Sequence, residues 1–330
     1  MGIAMFGVLW CHFSDISGVI PVGVPKSIID TFAYSLFTQG FVFFSGMGLY
    51  YSFSKNCDIK SYYLRRLKRV FIPYVILTAP YFLYTDIGIE KDFLLLLRHL
   101  TGIEFFISGN YSGMWYISVI LFLYLIFPLL YHLVFGNNGN NRLRPFFVTA
   151  ALIIVWDIIR YVISGYALNY YNLPQMPNGL GIMQCFVMGM ITMYIIAKHQ
   201  RVAVIQIIGL LCICLVFKYL LGGGANNQFL IDYTCWMVLP YSLVYSAVLY
   251  FVDKCKPLCK VSYCIKYPLR FLGKYSLEIY VIHSIIYHFL RDYSSLTISP
   301  LAQISISILI SLLICVPVNM FTNKYIYTQR

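Results

Sequence analysis

Long apolar runs alternate with short polar segments along the whole chain. The apolar runs approach the roughly 20 residues that an α-helix needs to cross a bilayer. The pattern therefore predicts an all-α integral membrane protein of about ten transmembrane helices, in a single domain over residues 1–330. The predicted spans are 2–21, 32–53, 70–85, 114–135, 146–164, 179–197, 202–221, 231–252, 271–290 and 300–323.

One apolar segment departs from this pattern. Residues 89–108 form an amphipathic pattern with the period of an α-helix, so one face is apolar and the other polar. We therefore expect this segment to lie along the membrane interface rather than cross it.

Composition and charge agree with a membrane protein. Hydrophobic residues make up 60% of the 330 residues and charged residues only 11%, and the mean hydropathy is +0.75. About a quarter of a soluble domain is charged, so a soluble enzyme and a disordered chain are excluded.

If the spans alternate from a cytoplasmic N-terminus, most of the 24 Lys and Arg residues fall in cytoplasmic segments. This positive-inside bias predicts cytoplasmic termini and explains the net charge of +12 without a nucleic-acid partner. The ten Cys match no zinc-ligand spacing, and we predict no metal site.

Two histidines lie within predicted spans. His12 is eleven residues from Met1, about 16 Å along a helix, and His283 is twelve residues into the ninth span. Both helices run outward, so the two rings are expected at one depth. A neutral imidazole can take a proton from a hydroxyl, and Asp15 is spaced to orient the His12 ring. The alternative is that each histidine is a packing residue between helices.

A basic cluster precedes the third span in SYYLRRLKRVFIPY. Helical spacing places Arg65, Arg66 and Arg69 on one face, where guanidinium groups suit phosphates such as those of coenzyme A. The alternative is an anchor for anionic lipid headgroups.

Weaker candidates lie in other spans. Ser45 and Gly46 interrupt the second span with small residues, which permit close approach by a helix or by a ligand. Trp115 begins the fourth span, as an interfacial residue or as a stacking surface for a sugar. Spacing predicts two neutralising pairs within spans, Asp157 with Arg160 and Lys274 with Glu278.

Several ordered segments together resemble the acyltransferase-3 family of integral membrane acyltransferases. The matching segments are GIAMFGVLWCHF with His12, GFVFFSGMGLYYSF with Ser45 and Gly46, YLRRLKRVFIPY with Arg65, Arg66, Arg69 and Pro73, MWYISVILFLYLIFPLL with Trp115 and Pro128, and LGKYSLEIYVIH with Ser276, Tyr280 and His283. Residues from about 140 to 265 carry little of the resemblance. The family's first helix usually opens with an arginine where Met1 stands here. Either the natural start lies upstream, which we expect, or the protein lacks this arginine.

The resemblance implies a multi-pass enzyme of the inner cell membrane. It implies acyl-CoA, with acetyl-CoA expected, as a co-substrate and no tightly bound cofactor. The phosphates of acyl-CoA would bind Arg65, Arg66 and Arg69. The pantetheine arm of acyl-CoA would pass Ser45 and Gly46 toward His12. His12 would act as general base on an acceptor hydroxyl or carry the acyl group briefly.

The acceptor implied by the resemblance is an envelope or exported glycan, or a lipid-linked sugar. Trp115, Tyr280, His283 and Glu278 are the residues expected to shape its site. A transporter or flippase of a lipid-linked sugar is the alternative function, because polar residues at the midplane of a helical bundle suit a transport path as well.

Overall fold

The computed structural model describes residues 1–17, 38–108, 114–136, 143–166, 183–198, 259–292, 298–322 and 324. Regular structure in these ranges is helical and contains no strand. The α-helices are α1 (Gly2–Ser17), α2 (Thr38–Phe53), α3 (Ile59–Arg66), α4 (Ile72–Phe82), α5 (Phe93–Thr101), α6 (Glu104–Ser108), α7 (Trp115–Phe135), α8 (Arg144–Tyr166), α9 (Met183–Lys198), α10 (Cys259–Lys274), α11 (Ser276–Asp292) and α12 (Pro300–Thr322). Two π-helical segments, Leu67–Phe71 and Leu83–Ile89, follow α3 and α4.

Within the described ranges, three helical stretches are long and apolar enough to cross a membrane: Ile59–Ile89, Trp115–Phe135 and Pro300–Thr322. Shorter apolar helices occupy Gly2–Ser14, Arg144–Trp156 and Met183–Lys198. The predicted all-α class is therefore confirmed for the described residues. Ten spans and cytoplasmic termini stay predictions, and the predicted spans 202–221 and 231–252 lie outside the part of the chain that the structure describes.

The third predicted span is part of a longer helical stretch. The prediction separated a polar segment, 54–69, from a span at 70–85, whereas the structure is continuously helical from Ile59 to Ile89, 31 residues in all. The first of its two π-helical segments, Leu67–Phe71, lies just before Pro73, which has no N–H to donate to the Arg69 carbonyl. In this segment the Ile72 N–H donates to the Leu67 carbonyl, five residues back, whereas an α-helical bond would reach four residues back. The missing donor at Pro73 thus accounts for the wider helical turn.

The predicted interfacial segment 89–108 forms two short helices, α5 and α6. The Asp92 side chain accepts a hydrogen bond from the Leu95 N–H (3.0 Å) and begins α5 as its N-cap. Gly102 ends α5 with φ +75°, a left-handed conformation that glycine adopts without strain. Phe93 and Leu94 are exposed, which suits a helix whose outer face contacts lipid; its depth in the membrane stays a prediction.

The ninth predicted span is divided between two helices. Residues 271–290 were predicted as one span, but α10 ends at Lys274 and α11 begins at Ser276. Lys274 is exposed at this junction and its Nζ lies 4.8 Å from the centre of the Tyr275 ring. The break at Tyr275 was missed because the apolar side of the amphipathic α10 extends the hydrophobic run in the sequence. The placement of Lys274 inside a membrane span stays a prediction.

The chain divides into two compact units. Unit 1 comprises Met1–Ala33, Lys60–Leu121 and Tyr267–Arg330, and unit 2 comprises Tyr34–Ile59 and Phe122–Lys266. In unit 1, α11 packs against α12 and α4, and α1 packs against α12 and α11. In unit 2, α2 pairs along its length with α9, which also contacts α8. The single domain over residues 1–330 stays a prediction.

Candidate functional site

The centre of unit 1 contains a pair of histidines from opposite ends of the sequence. His12 on α1 and His283 on α11 are 271 residues apart, yet His283 Nε2 lies 2.9 Å from His12 Nδ1. The two ring centroids are 5.0 Å apart. His283 is fully buried, with no exposed surface, and His12 is half-buried. The sequence predicted only an equal depth for the two rings; the structure brings them into direct contact.

The second nitrogen of His283 is also held. Its Nδ1 lies 2.7 Å from the carbonyl oxygen of Ile279, one helical turn earlier. The Tyr280 ring packs against the His283 ring at 5.7 Å, nearly at right angles. Both nitrogens of His283 therefore have protein partners at hydrogen-bond distance, which fixes the orientation of the ring.

A chain of aromatic contacts leads from the histidine pair to the start of α7. Tyr280 packs edge-on against Tyr116 with ring centroids 5.5 Å apart, and Tyr116 contacts the neighbouring Trp115 at 6.4 Å. Trp115 also contacts the Phe105 ring of α6, with ring centroids 6.4 Å apart. The structure thus brings four sequence-predicted site residues into one series of contacts within unit 1: His12, His283, Tyr280 and Trp115.

The predicted arginine cluster lies on the helical stretch Ile59–Ile89. Arg65 and Arg66 are half-buried at the end of α3, and Arg69 is exposed in the following π-helical segment. The Arg66 guanidinium lies over the Tyr62 ring at 5.9 Å, a distance at which a cation and an aromatic face attract each other. The arginines span the junction between α3 and the π-helical segment Leu67–Phe71, and a shared face for them stays a prediction.

Ser45 and Gly46 lie in unit 2, where α2 crosses α9. A Cβ atom added to Gly46 would collide with the carbonyl oxygen of Phe186, and one added to Gly189 would collide with the carbonyl oxygen of Phe43. The two glycines therefore let the backbones approach closely at this crossing. Ser45 is buried, and the Tyr124 hydroxyl donates to its Oγ at 3.4 Å. Close helix approach, one of the two alternatives for this segment, is what the structure contains; a role toward a donor stays a prediction.

Glu278 is buried in the first turn of α11. Its Oε1 accepts a hydrogen bond from Asn319 Nδ2 of α12 at 2.5 Å. The predicted partner was Lys274, but that side chain is exposed beyond the start of α11, over Tyr275. The Lys274–Glu278 prediction was therefore wrong, because the helix that was to join the two residues breaks between them. The predicted Asp157–Arg160 pair and the Asp15 side chain lie outside the described side chains.

The sequence interpretation missed a polar network in the π-helical segment Leu83–Ile89, which follows α4. Asp86 is buried, its Oδ2 lies 2.7 Å from His99 Nδ1, and the Thr85 hydroxyl donates to its Oδ1 at 2.8 Å. The His99 ring stacks on Phe82 at 4.5 Å. This network ties α5 to the end of α4. The signal in the sequence was Asp86 itself, an acidic residue directly after an apolar run.

Among the described residues, no three His, Cys, Asp or Glu side chains gather in a way that could hold a metal ion. Unit 1 instead brings ionisable groups together in pairs, among them Asp86 with His99 and His12 with His283, and the two imidazoles of the second pair can hold and move a proton.

These features define a class of protein: an integral membrane protein, helical throughout its described ranges, in which one buried and one half-buried imidazole meet inside one compact unit. A comparison with protein families then identifies the chain more closely. The family model described as an acyltransferase domain, acyltransferase-3, matches residues 2–320. The chain therefore belongs to the acyltransferase-3 family and is a membrane acyltransferase.

The other comparisons add no relative. No curated protein and no solved structure matches the chain. The family match covers nearly the whole chain and gives no support to the alternative function of a transporter or flippase.

Proposed function

We propose that this protein transfers an acetyl group from acetyl-CoA to a hydroxyl of an envelope or exported glycan. Membership of the acyltransferase-3 family supports acyl transfer in general. The observation that carries the proposal is the 2.9 Å contact between His12 and His283 inside unit 1. An acyl transfer to a hydroxyl needs a group that removes the hydroxyl proton, and a held imidazole is the side chain best suited to that task near neutral pH.

His12 is the proposed general base. It is half-buried, whereas His283 is fully enclosed, so His12 is the member of the pair that a substrate can reach. In the proposed reaction His12 takes the proton of the acceptor hydroxyl while the oxygen attacks the thioester carbonyl. The products are an ester on the acceptor and the free thiol of coenzyme A.

Arg65, Arg66 and Arg69 are the proposed partners of the donor's phosphates. Three guanidinium groups within five residues supply positive charge and paired donors that suit phosphate oxygens. Binding of lipid headgroups by the same arginines is the competing explanation, and it predicts no change in donor affinity when they are replaced.

The proposed acceptor is a carbohydrate because aromatic side chains lead away from the histidine pair. Trp115 is half-buried, and its indole belongs to the contact series that reaches His283 through Tyr116 and Tyr280. Flat aromatic faces offer apolar surface to sugar rings, while the Tyr hydroxyl and Trp N–H supply polar contacts. The protein would act in the inner cell membrane, on a glycan or a lipid-linked sugar.

The test is transfer of radiolabelled acetyl from acetyl-CoA in membranes that contain this chain and host envelope glycan. We expect label in glycan with the unaltered protein, and a loss of about 10²- to 10⁴-fold with His12→Ala, the range for removal of a general base. Cys11→Ala, a change at the neighbouring residue of α1, is the matched control. Unchanged transfer by His12→Ala would exclude His12 as the base.

The donor site is tested in the same assay. Arg66→Ala/Arg69→Ala should raise the KM for acetyl-CoA about tenfold or more, because each lost ionic hydrogen bond weakens phosphate binding by about 1.5 kcal/mol or more. Lys60→Ala removes an exposed positive charge from α3 and should leave this KM unchanged. An equal rise in KM for both variants would mean that the arginines act through overall positive charge and do not bind the donor's phosphates specifically.

A further inference from the structure

The partners of His283 determine where its proton lies. A backbone carbonyl can only accept a hydrogen bond, so the His283 Nδ1, 2.7 Å from the Ile279 oxygen, must carry a hydrogen and donate it. In a neutral imidazole the other nitrogen is then an acceptor. A second proton would place a charged imidazolium at a position with no exposed surface, which is costly. His283 therefore presents the lone pair of Nε2 to its neighbour.

The neighbour of that lone pair is His12. Because His283 Nε2 accepts, His12 Nδ1, 2.9 Å away, must be the donor. His12 in turn is held as the tautomer with hydrogen on Nδ1, and its Nε2 carries the basic lone pair. Hydrogen-bond donation thus runs from His12 to His283 and from His283 to the Ile279 carbonyl, and this direction follows from the fact that the carbonyl can only accept.

We propose that His283 is a positioning residue that fixes the tautomer of His12, so that His12 Nε2 is the atom that removes the acceptor's proton. This inference rests on the acyl-transfer function proposed above and differs from the expectation that His283 shapes the acceptor site. His283 itself never meets the substrate; it acts through the hydrogen bond to His12.

The step balances with these atoms. The acceptor O–H bond breaks as its oxygen bonds to the acyl carbon, and the proton passes to His12 Nε2. His12 is then an imidazolium, whose Nδ1–H donates to the His283 Nε2 lone pair. When the C–S bond breaks, the sulfur takes the proton from His12 Nε2 and leaves as the thiol of coenzyme A. His12 returns to its starting tautomer, so the pair is ready for a second turnover.

Two variants of His283 separate this role from simple packing. In His283→Asn the amide nitrogen can still donate to the Ile279 carbonyl, but no acceptor reaches His12. In His283→Gln the longer side chain brings an amide oxygen to the place of Nε2, where it can accept from His12 Nδ1. A packing role predicts similar losses in both, whereas tautomer control predicts that glutamine rescues what asparagine loses.

The first readout is kinetic. We expect His283→Asn to lower kcat for acetyl transfer about 10²- to 10⁴-fold with an unchanged KM for acetyl-CoA, the scale seen when an orienting partner of a catalytic histidine is lost. His283→Gln should stay within about tenfold of the unaltered protein. His132→Asn, the same change at a histidine of unit 2, is the control and should have no effect. Equal losses in the asparagine and glutamine variants, or full activity of His283→Asn, would overturn the proposal.

The second readout needs no activity. ¹⁵N nuclear magnetic resonance of the full chain, labelled at its six histidines, distinguishes a protonated from an unprotonated ring nitrogen, and the His12 signals are those lost in His12→Ala. We expect hydrogen on His12 Nδ1 in the unaltered protein and in His283→Gln, and a shift toward Nε2–H in His283→Asn. Hydrogen on His12 Nε2 in the unaltered protein would overturn the inference even if acetyl transfer occurs. The expected tautomer without any acetyl transfer would instead contradict the proposed function.

Discussion

The histidine pair of unit 1 and the glycine crossing of unit 2 are both contacts between segments far apart in the sequence, but they are built in opposite ways. His12 and His283 meet through ring nitrogens 2.9 Å apart. Gly46 and Gly189 lie where two backbones approach, and each works by having no side chain. Both contacts contain residues from the segments that resemble the acyltransferase-3 family.

The comparison shows that residues of one family pattern serve unlike purposes. At the histidine pair, a substitution changes which atoms give and accept protons, so we expect activity to suffer more than folding. At the glycine crossing, any side chain must displace a backbone carbonyl, so we expect folding to suffer first.

The largest effect on stability is expected where the two helices of unit 2 cross. Gly46→Ala places a methyl group against the Phe186 carbonyl oxygen and should destabilise the protein by about 3 kcal/mol, or prevent its accumulation. Gly48→Ala, two residues on, meets nothing within 4 Å and should be neutral or stabilising by about 0.5–1 kcal/mol. Thermal unfolding in detergent compares them. A Gly46→Ala protein with normal stability and a raised KM for acetyl-CoA would show that the glycine serves the donor instead.

An intermediate effect is expected where α11, the helix of His283, is joined to α12. Asn319→Ala removes the donor at 2.5 Å from the buried Glu278 carboxyl group and should cost about 1–3 kcal/mol. Ser305→Ala removes a hydroxyl from an exposed position of α12 and should change little. The same unfolding measurement, with acetyl transfer recorded in parallel, tests this. A loss of acetyl transfer without a loss of stability would indicate that Glu278 serves the acceptor site rather than the joining of α11 to α12.

The smallest effect is expected beside Gly46. Tyr124→Phe removes a hydroxyl whose bond to Ser45 Oγ is long, 3.4 Å, so the stability should fall by about 0.5 kcal/mol at most. Ser45→Ala leaves the Tyr124 hydroxyl in place and provides the reciprocal variant. Both are followed by thermal unfolding. A change above about 2 kcal/mol in either would mean that the crossing depends on polar contacts as well as on glycine.

The sequence predicted the class of fold, but not the local helical geometry. Apolar runs are long enough to predict membrane helices, and the helical rise predicted an equal depth for His12 and His283. Their direct contact could not be predicted, because it depends on how α1 packs against α11. The π-helical turn before Pro73 and the break at Tyr275 were missed because hydrophobicity reports burial in lipid, not backbone hydrogen bonding. The Asp86–His99 network was missed because it depends on how α5 folds back on α4.

The wide turn at Leu67–Phe71 has a consequence for how this sequence can change over time. A π-helical turn holds about one residue more than an α-helical turn, so it absorbs the rotation of about 100° that an extra residue would otherwise cause. Loss of one residue within Leu67–Phe71 would let this turn close to α-helical geometry and would keep Arg65 and Arg66 in the direction they have now. Loss of one residue from the α-helical part between this segment and the end of α4 would instead rotate the two arginines by about 100° relative to the residues beyond it. A one-residue gap in an alignment of this stretch therefore preserves the arginine geometry only where it falls within the wide turn.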